Sequence, residues 1–437
     1  MKSSSRWQKY FRGTAASWTK YLDKTRLQIR GRLPAFLKRL VSHLETEAKD
    51  AGKVLRLTVR LSALSIAGPM AVAPDFWFQD NRLYLPSPIV PALAQVPRLF
   101  NEAMYAAALA LCAVLLFFPQ LRRLGFLLLP IFAFFVLQDQ MRGHFYLEMC
   151  LFNLLAAASM PDKPSDRHLD CLRYLTVGTY FWSGFYKFNA LFVLVGFPEF
   201  VSAWFPFRDF AQAGALFVPF LEAGVGICLL LPPARWVGQA VASLMLAVVL
   251  LSLGPLGRNE AIVVWPVNIY LDCLALFLFS RRGESLLSLK KIKPSLALAA
   301  VLLFCALPAV GMVDALGVNP TFRLYCTCGT EGSFVSVSPA EKLKFLDGEL
   351  GREAVKNHRI AIADTTYQTM NEPPCNFLSG DKPIIDGARG FCPYLAHPDA
   401  ARLHVLQPAH FWSLEISERV YSLCEKQPRL LSSGTLR

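Results

Sequence analysis

A lysine, Lys187, stands in TVGTYFWSGFYKFN, residues 176–189, within a stretch otherwise apolar enough to cross a bilayer. A charged side chain at the centre of a membrane helix costs roughly 2.5–3.5 kcal/mol on insertion scales, so an intramembrane ionisable group is read first as functional. An amine becomes a general base near neutral pH when desolvation lowers its proton affinity. On a helix, Thr176, Tyr180, Ser183, Gly184 and Lys187 fall at i, i+4, i+7, i+8 and i+11 and share one face. Three other apolar stretches bring polar groups of their own. His144 and Glu148 lie one turn apart, Glu222 sits midway along a later stretch, and Trp265, Asn268 and Asp272 share a face of another. Plainer roles remain open: Lys187 snorkelling to the headgroups or pairing with Glu222 or Glu148, and Glu222, Asn268 and Asp272 acting as interhelical glue.

The elements that must position these residues are membrane helices. Over 437 residues the chain is 54% hydrophobic and 18% charged, with a mean hydropathy of +0.36, too apolar for an ordinary soluble protein. The expected fold is an all-α polytopic membrane protein, a bundle of about nine transmembrane helices with a small exported C-terminal domain. Segments of spanning length fall near 54–73, 101–119, 123–140, 144–160, 171–193, 211–232, 235–254, 260–280 and 295–313. Arg56 and Arg60 leave the first of them with a short apolar run. With the N-terminus cytoplasmic, the inner loops carry eleven Lys and Arg and the outer loops five, as the positive-inside rule requires. Lys187, His144, Glu222 and Asn268 then converge on the outer half of the bundle.

Three regions follow: 1–53, a basic amphipathic cytoplasmic segment; 54–313, the bundle; and 314–437, an extracytoplasmic cysteine-containing tail. The first region holds thirteen Lys and Arg against four Asp and Glu, with Trp7, Phe11, Trp18 and Leu22 at helical spacing. That pattern points to anionic membrane lipids as the partner and not to nucleic acid. The Pro- and aromatic-rich run 74–100 reads as an outer cap along the interface. In the tail, helices are expected at 338–345 and 410–424, and Cys326, Cys328, Cys375, Cys392 and Cys424 are candidates for disulfides. No spacing typical of a metal site is present.

Two motifs, Arg142-Gly143-His144-Phe145-Tyr146-Leu147-Glu148 and, about thirty residues on, Tyr180 to Asn189, resemble the core of the horizontally transferred transmembrane (HTTM) domain family, which includes the vitamin K-dependent gamma-carboxylases. The resemblance covers roughly residues 54–313. It implies a catalytic pair of Lys187, as the base toward a reduced quinone, and His144; the residues themselves make Tyr180, Ser183, Glu222, Trp265 and Asn268 the candidates for lining the substrate. Tyr186 and Asn189 depart from the family pattern and the tail is short, so gamma-carboxylation of a peptide is not implied. The two readings are an enzyme acting on a quinone-type or other lipid-soluble substrate, and a non-enzymatic membrane scaffold whose exported tail binds a partner protein.

Overall fold

The computed structural model describes residues 50–72, 88–139, 145–190, 192–202, 204–205, 207–254 and 265–280, strand segments at 332–336, 360–363, 366–369, 401–408, 415–425 and 429–436, and isolated positions including 74, 77, 142, 286 and 392. The expected segment 1–53, the span at 295–313 and the helix at 338–345 lie wholly or almost wholly outside them, as do His144, Cys326, Cys328 and Cys375.

Among the described residues, ten α-helices precede a sheet. They are α1 (Ala51–Val72), α2 (Arg98–Phe117), α3 (Leu128–Gln138), α4 (Phe145–Ala158), α5 (Asp170–Tyr186), α6 (Phe197–Val201), α7 (Arg208–Ala215), α8 (Val218–Leu230), α9 (Arg235–Leu253) and α10 (Trp265–Phe279). Among the described residues, five helical stretches are long and apolar enough to cross a membrane: Ala51–Val72, Arg98–Phe117, Pro119–Gln138, Arg208–Leu230 and Pro232–Leu253. Two shorter apolar helices, Met149–Ala158 and Trp265–Phe279, accompany them. The chain is thus mostly helical and of polytopic membrane type, with fewer full-length spans described than the nine expected.

Helix α1 begins where Asp50 accepts hydrogen bonds from the backbone nitrogens of Gly52 (2.7 Å) and Lys53 (3.3 Å), capping the first turn. Its inward stripe, Val54, Leu55, Thr58, Val59, Ser62, Ile66 and Met70, repeats at helical spacing and is buried. Arg56 and Arg60 project from the exposed face, and Arg60 donates to the Leu116 carbonyl at the end of α2 (3.1 Å). The two arginines therefore interrupt the hydropathy of this helix without interrupting its packing stripe. Helix α1 packs on α2, α4 and α10, and α5 packs chiefly on α8 with further contacts to α4 and α10. Trp77 is 1% exposed, its ring edge-on to Phe132 (5.9 Å) and Phe135 (5.1 Å). This part of the expected interfacial cap is core, because the two phenylalanines give the indole a fully apolar seat.

Two expectations are corrected. The span drawn at 171–193 ends as an α-helix at Tyr186, with Lys187 as its C-cap, and a π turn (Phe192–Gly196) follows. Asn189 makes the break: its Nδ2 donates to the Tyr186 carbonyl (2.8 Å) and its Oδ1 accepts from the Phe192 nitrogen (2.9 Å). One side chain thereby serves the end of one helix and the start of the next turn.

The second correction concerns the tail, which is not all-α. Its strands β1 (Gly332–Ser336), β2 (Ile360–Ala363), β3 (Thr366–Thr369), β4 (Arg402–Pro408), β5 (Ile416–Ser422) and β6 (Leu430–Leu436) form one antiparallel sheet, ordered β2-β3-β1-β4-β5-β6. The segment expected to be helical at 410–424 contains β5. Its register pairs Ile416 through Ser422 with Pro408 through Arg402 on one side and with β6 on the other, so ladder bonds on both edges outweigh local helix propensity. Cys392 and Cys424 form a disulfide across 32 residues, tying the end of β5 to the chain before β4.

Candidate functional site

The site is set by how closely α5 and α8 approach. A Cβ placed on Gly184 of α5 would run into the backbone nitrogen of Ala223 and stand 2.6 Å from the Pro219 oxygen. A Cβ on Gly226 of α8 would stand 2.9 Å from both the Phe181 nitrogen and the Val177 oxygen. Each helix thus puts a glycine where the other's backbone lies, the small-residue contact that lets membrane helices pack backbone to backbone. Polar groups beside these glycines are brought within bonding distance as a consequence.

Those groups are Ser183 and Lys187, flanking Gly184, and Glu222 of α8. The Lys187 ammonium donates to Ser183 Oγ (2.9 Å) and pairs with Glu222 Oε2, while Ser183 Oγ donates to Glu222 Oε1. Both carboxylate oxygens are therefore engaged by neighbours on α5. The Glu222 side chain is 9% exposed and that of Lys187 25%, so the pair opens to the surroundings on the lysine side. Lys187 Nζ also lies 6.0 Å above the Phe192 ring. A desolvated charge with full hydrogen bonding is tolerable; the same charge without its partner is not.

The other expected site residues take different places. Tyr180 is buried one turn deeper on α5, within electrostatic reach of Glu222 and Asp272. Phe181, Trp182 and Phe185 form a contiguous ring cluster, with centroids 5.1–5.7 Å apart. Trp265 opens α10 with its ring 3.9 Å from the Cβ position of Gly254, at the end of α9. Asn268 stands one turn before Asp272 on α10. The trio of Lys187, Ser183 and Glu222 is the part of the expected set that direct bonds unite, and it is a paired site and not a bare lysine. His144 lies outside the described residues. Among those residues, no group of three His, Cys, Asp or Glu is placed to hold a metal ion.

A second polar set marks the opposite end of α5. Buried Arg173 donates from Nε to the Leu278 carbonyl (2.9 Å), from Nη1 to Asp170 Oδ1 (2.7 Å) and from Nη2 to Asp166 Oδ1 (2.7 Å). Arg122 donates to the Met160 carbonyl (2.9 Å) and to Asp162 (2.7 Å), and the Arg235 guanidinium lies 5.7 Å over the Phe279 ring. The hydrogen bond from Arg122, with the charges of Arg122 and Arg123, holds the Asp162 carboxyl below its ordinary range. These arginines lock helix ends together. Their number in the loops was evident from sequence; the carbonyls they bind were not, because backbone acceptors leave no residue-type signal.

Residues 166–259 match the family model described as methylamine utilisation protein MauE. That stretch is MauE-like. No curated protein and no solved structure matches the chain. The match overturns the HTTM resemblance, and the reduced quinone inferred through that resemblance loses its family support. The physical reason is that the two motifs were mostly aromatics, glycine and one lysine, residue types that membrane helices use widely for packing and at interfaces. The MauE-like stretch contains α5, α6, α7, α8 and α9, and with them Ser183, Gly184, Lys187, Glu222 and Gly226. The chain is an integral multi-pass membrane protein.

Proposed function

We propose that this membrane protein is accessory to methylamine utilisation, and that Lys187, Ser183 and Glu222 are its working centre. The observation that carries the reading is the coincidence of two independent features. The Lys187–Glu222 ion pair and both glycines that create it fall inside the one stretch that matches the MauE family model.

Chemically, the centre suits proton exchange with a small or lipid-soluble substrate. In the paired state Lys187 is an ammonium and holds no lone pair for a proton. Moving one proton from Nζ to Glu222 Oε2 leaves a neutral amine beside a neutral acid and removes two desolvated charges together. The amine can then take a proton from an acidic substrate group reaching it on its exposed side, with Ser183 holding the geometry. A quinone-type substrate is one member of that class, and the Phe181, Trp182 and Phe185 rings supply apolar surface on the same helix. A second reading has its own support: the charges of Lys187 and Glu222 already satisfy one another, as expected of a pin between α5 and α8 in a non-enzymatic scaffold.

Replacement of Lys187 by Arg separates the two. Arginine retains the cation and the pairing but stays protonated at any working pH. In a deletion strain tested for growth on methylamine, Lys187→Arg and Lys187→Met proteins of normal abundance and fold should both fail to complement. Full complementation by Lys187→Arg leaves only the pin. A deletion with no methylamine phenotype removes the accessory role itself. We further propose the three-region division of the chain, with the N-terminus and the arginine-locked end of the bundle cytoplasmic and the sheet extracytoplasmic, available to a partner protein. Reporter fusions after Ser280 and after Arg437 test this, and a cytoplasmic signal at Arg437 reverses it.

A further inference from the structure

Asp272 sits at the eighth of fifteen positions in α10, far from both helix ends, and is 7% exposed. Its carboxyl oxygens are 2.9 and 3.2 Å from one neutral group, the Ser243 hydroxyl of α9. The groups facing it from the packed elements are few. Helix α9 offers Ser243; α5 offers the Tyr180 phenol; α10 itself offers the Cys273 thiol. On α1, Ser62 is engaged with Tyr270 Oη at 2.9 Å. Among the described residues, no cationic side chain forms an ion pair with Asp272. This contrasts with Glu222, which has Lys187, and with Asp166 and Asp170, which have Arg173.

A carboxylate in the middle of a membrane helix with one neutral donor retains most of its desolvation cost, and in such a setting the group takes up a proton instead. A protonated carboxyl also fits the geometry: one oxygen accepts from Ser243, and the acid proton remains for the second contact or for Tyr180. We propose that Asp272 is a proton-binding site in the core of the bundle, occupied at neutral pH and gated by Ser243. The inference stands on the geometry of α9 and α10 and does not need Lys187 to be a base.

The test is difference infrared spectroscopy of the purified full-length protein in lipid at neutral pH. Wild type should show the C=O stretch of a protonated carboxyl, shifted in heavy water. Asp272→Asn, which keeps the size and the contact to Ser243, should lose that band, and Ser243→Ala should change its frequency. Glu222→Gln should leave the band in place, which separates this site from the ion pair. Lys187→Met should add a second band as Glu222 loses its counter-ion. No protonated carboxyl in wild type, or a band unchanged in folded Asp272→Asn, overturns the proposal. Should Asp272→Asn not fold, Asp272→Glu serves instead: it must retain a protonated band at a shifted frequency, and an unshifted band refutes the assignment.

Discussion

Replacing Gly184 by alanine tests the contact on which the site is built. The added methyl would stand 2.6 Å from the Pro219 oxygen and closer still to the Ala223 nitrogen, both backbone atoms of α8 that cannot rotate away. Comfortable non-bonded separation is about 3.5 Å, so the helices must part by roughly 1 Å or tilt. Overpacking of this kind costs typically about 1–3 kcal/mol. Ser183 and Lys187 are anchored on the same turn, so the parting also stretches their bonds to Glu222, and weakening one charge-assisted bond adds about 1.5–3 kcal/mol. The expected loss is about 2.5–6 kcal/mol. Gly224→Ala is the matched control: it lies on the same helix α8 with nothing within 4 Å of its Cβ position, and should be neutral or stabilising by up to about 1 kcal/mol. Equilibrium unfolding in mixed micelles, followed by far-ultraviolet circular dichroism, measures both. A Gly184→Ala protein within about 0.5 kcal/mol of wild type would refute the backbone contact and, with it, the explanation of how the three polar residues meet.

The remaining predictions concern the charges and the sheet. Glu222→Gln and Lys187→Met should each destabilise by about 1–3 kcal/mol in the same unfolding assay, since each strands a partly buried charge. The double variant should lose less than the sum of the two, and strict additivity would mean the pair is not coupled. Asp162 titrates below its ordinary value of 3.8 because of Arg122 and Arg123, so its contribution is complete above that value and disappears as pH falls through the lowered one. Asp162→Asn should therefore flatten the acid limb of stability against pH, lowering stability slightly and uniformly at neutral and alkaline pH and converging with wild type at low pH. Reduction of Cys392–Cys424 releases a loop of 32 residues, worth about 3.5–4 kcal/mol in the chain-entropy account. Proteolysis around β4 and β5 should accelerate on adding reductant, and equal cleavage rates would show that the bridge does not hold the sheet.

The helical bundle was legible because its signal is one-dimensional: long apolar runs between arginines mark helices, and Gly184 and Gly226 each stand out on a polar or small-residue face. Pairing those glycines was not legible, since nothing in a linear pattern states which turn of α5 meets which turn of α8. The break at Asn189 had a local cue, an amide at a helix end, but hydropathy continues past it through Phe192 and Val193 and hides the stop. Strand β5 failed for a related reason. Its apolar residues also fit helical spacing, and the decision comes from ladder partners in β4 and β6, the first of which ends eight residues upstream of Ile416.

The position of Lys187 also sets how hard it is to use. As the C-cap of α5 it sits at the negative end of the helix dipole, which favours an ammonium there by about 0.3–1 kcal/mol, and Glu222 favours it further. A lysine in the middle of an unbroken span would meet burial alone; this one has a hydroxyl and a carboxylate within hydrogen-bonding reach. Proton exchange therefore requires Glu222 to accept the proton, and whatever stabilises a neutral Glu222 promotes the free amine.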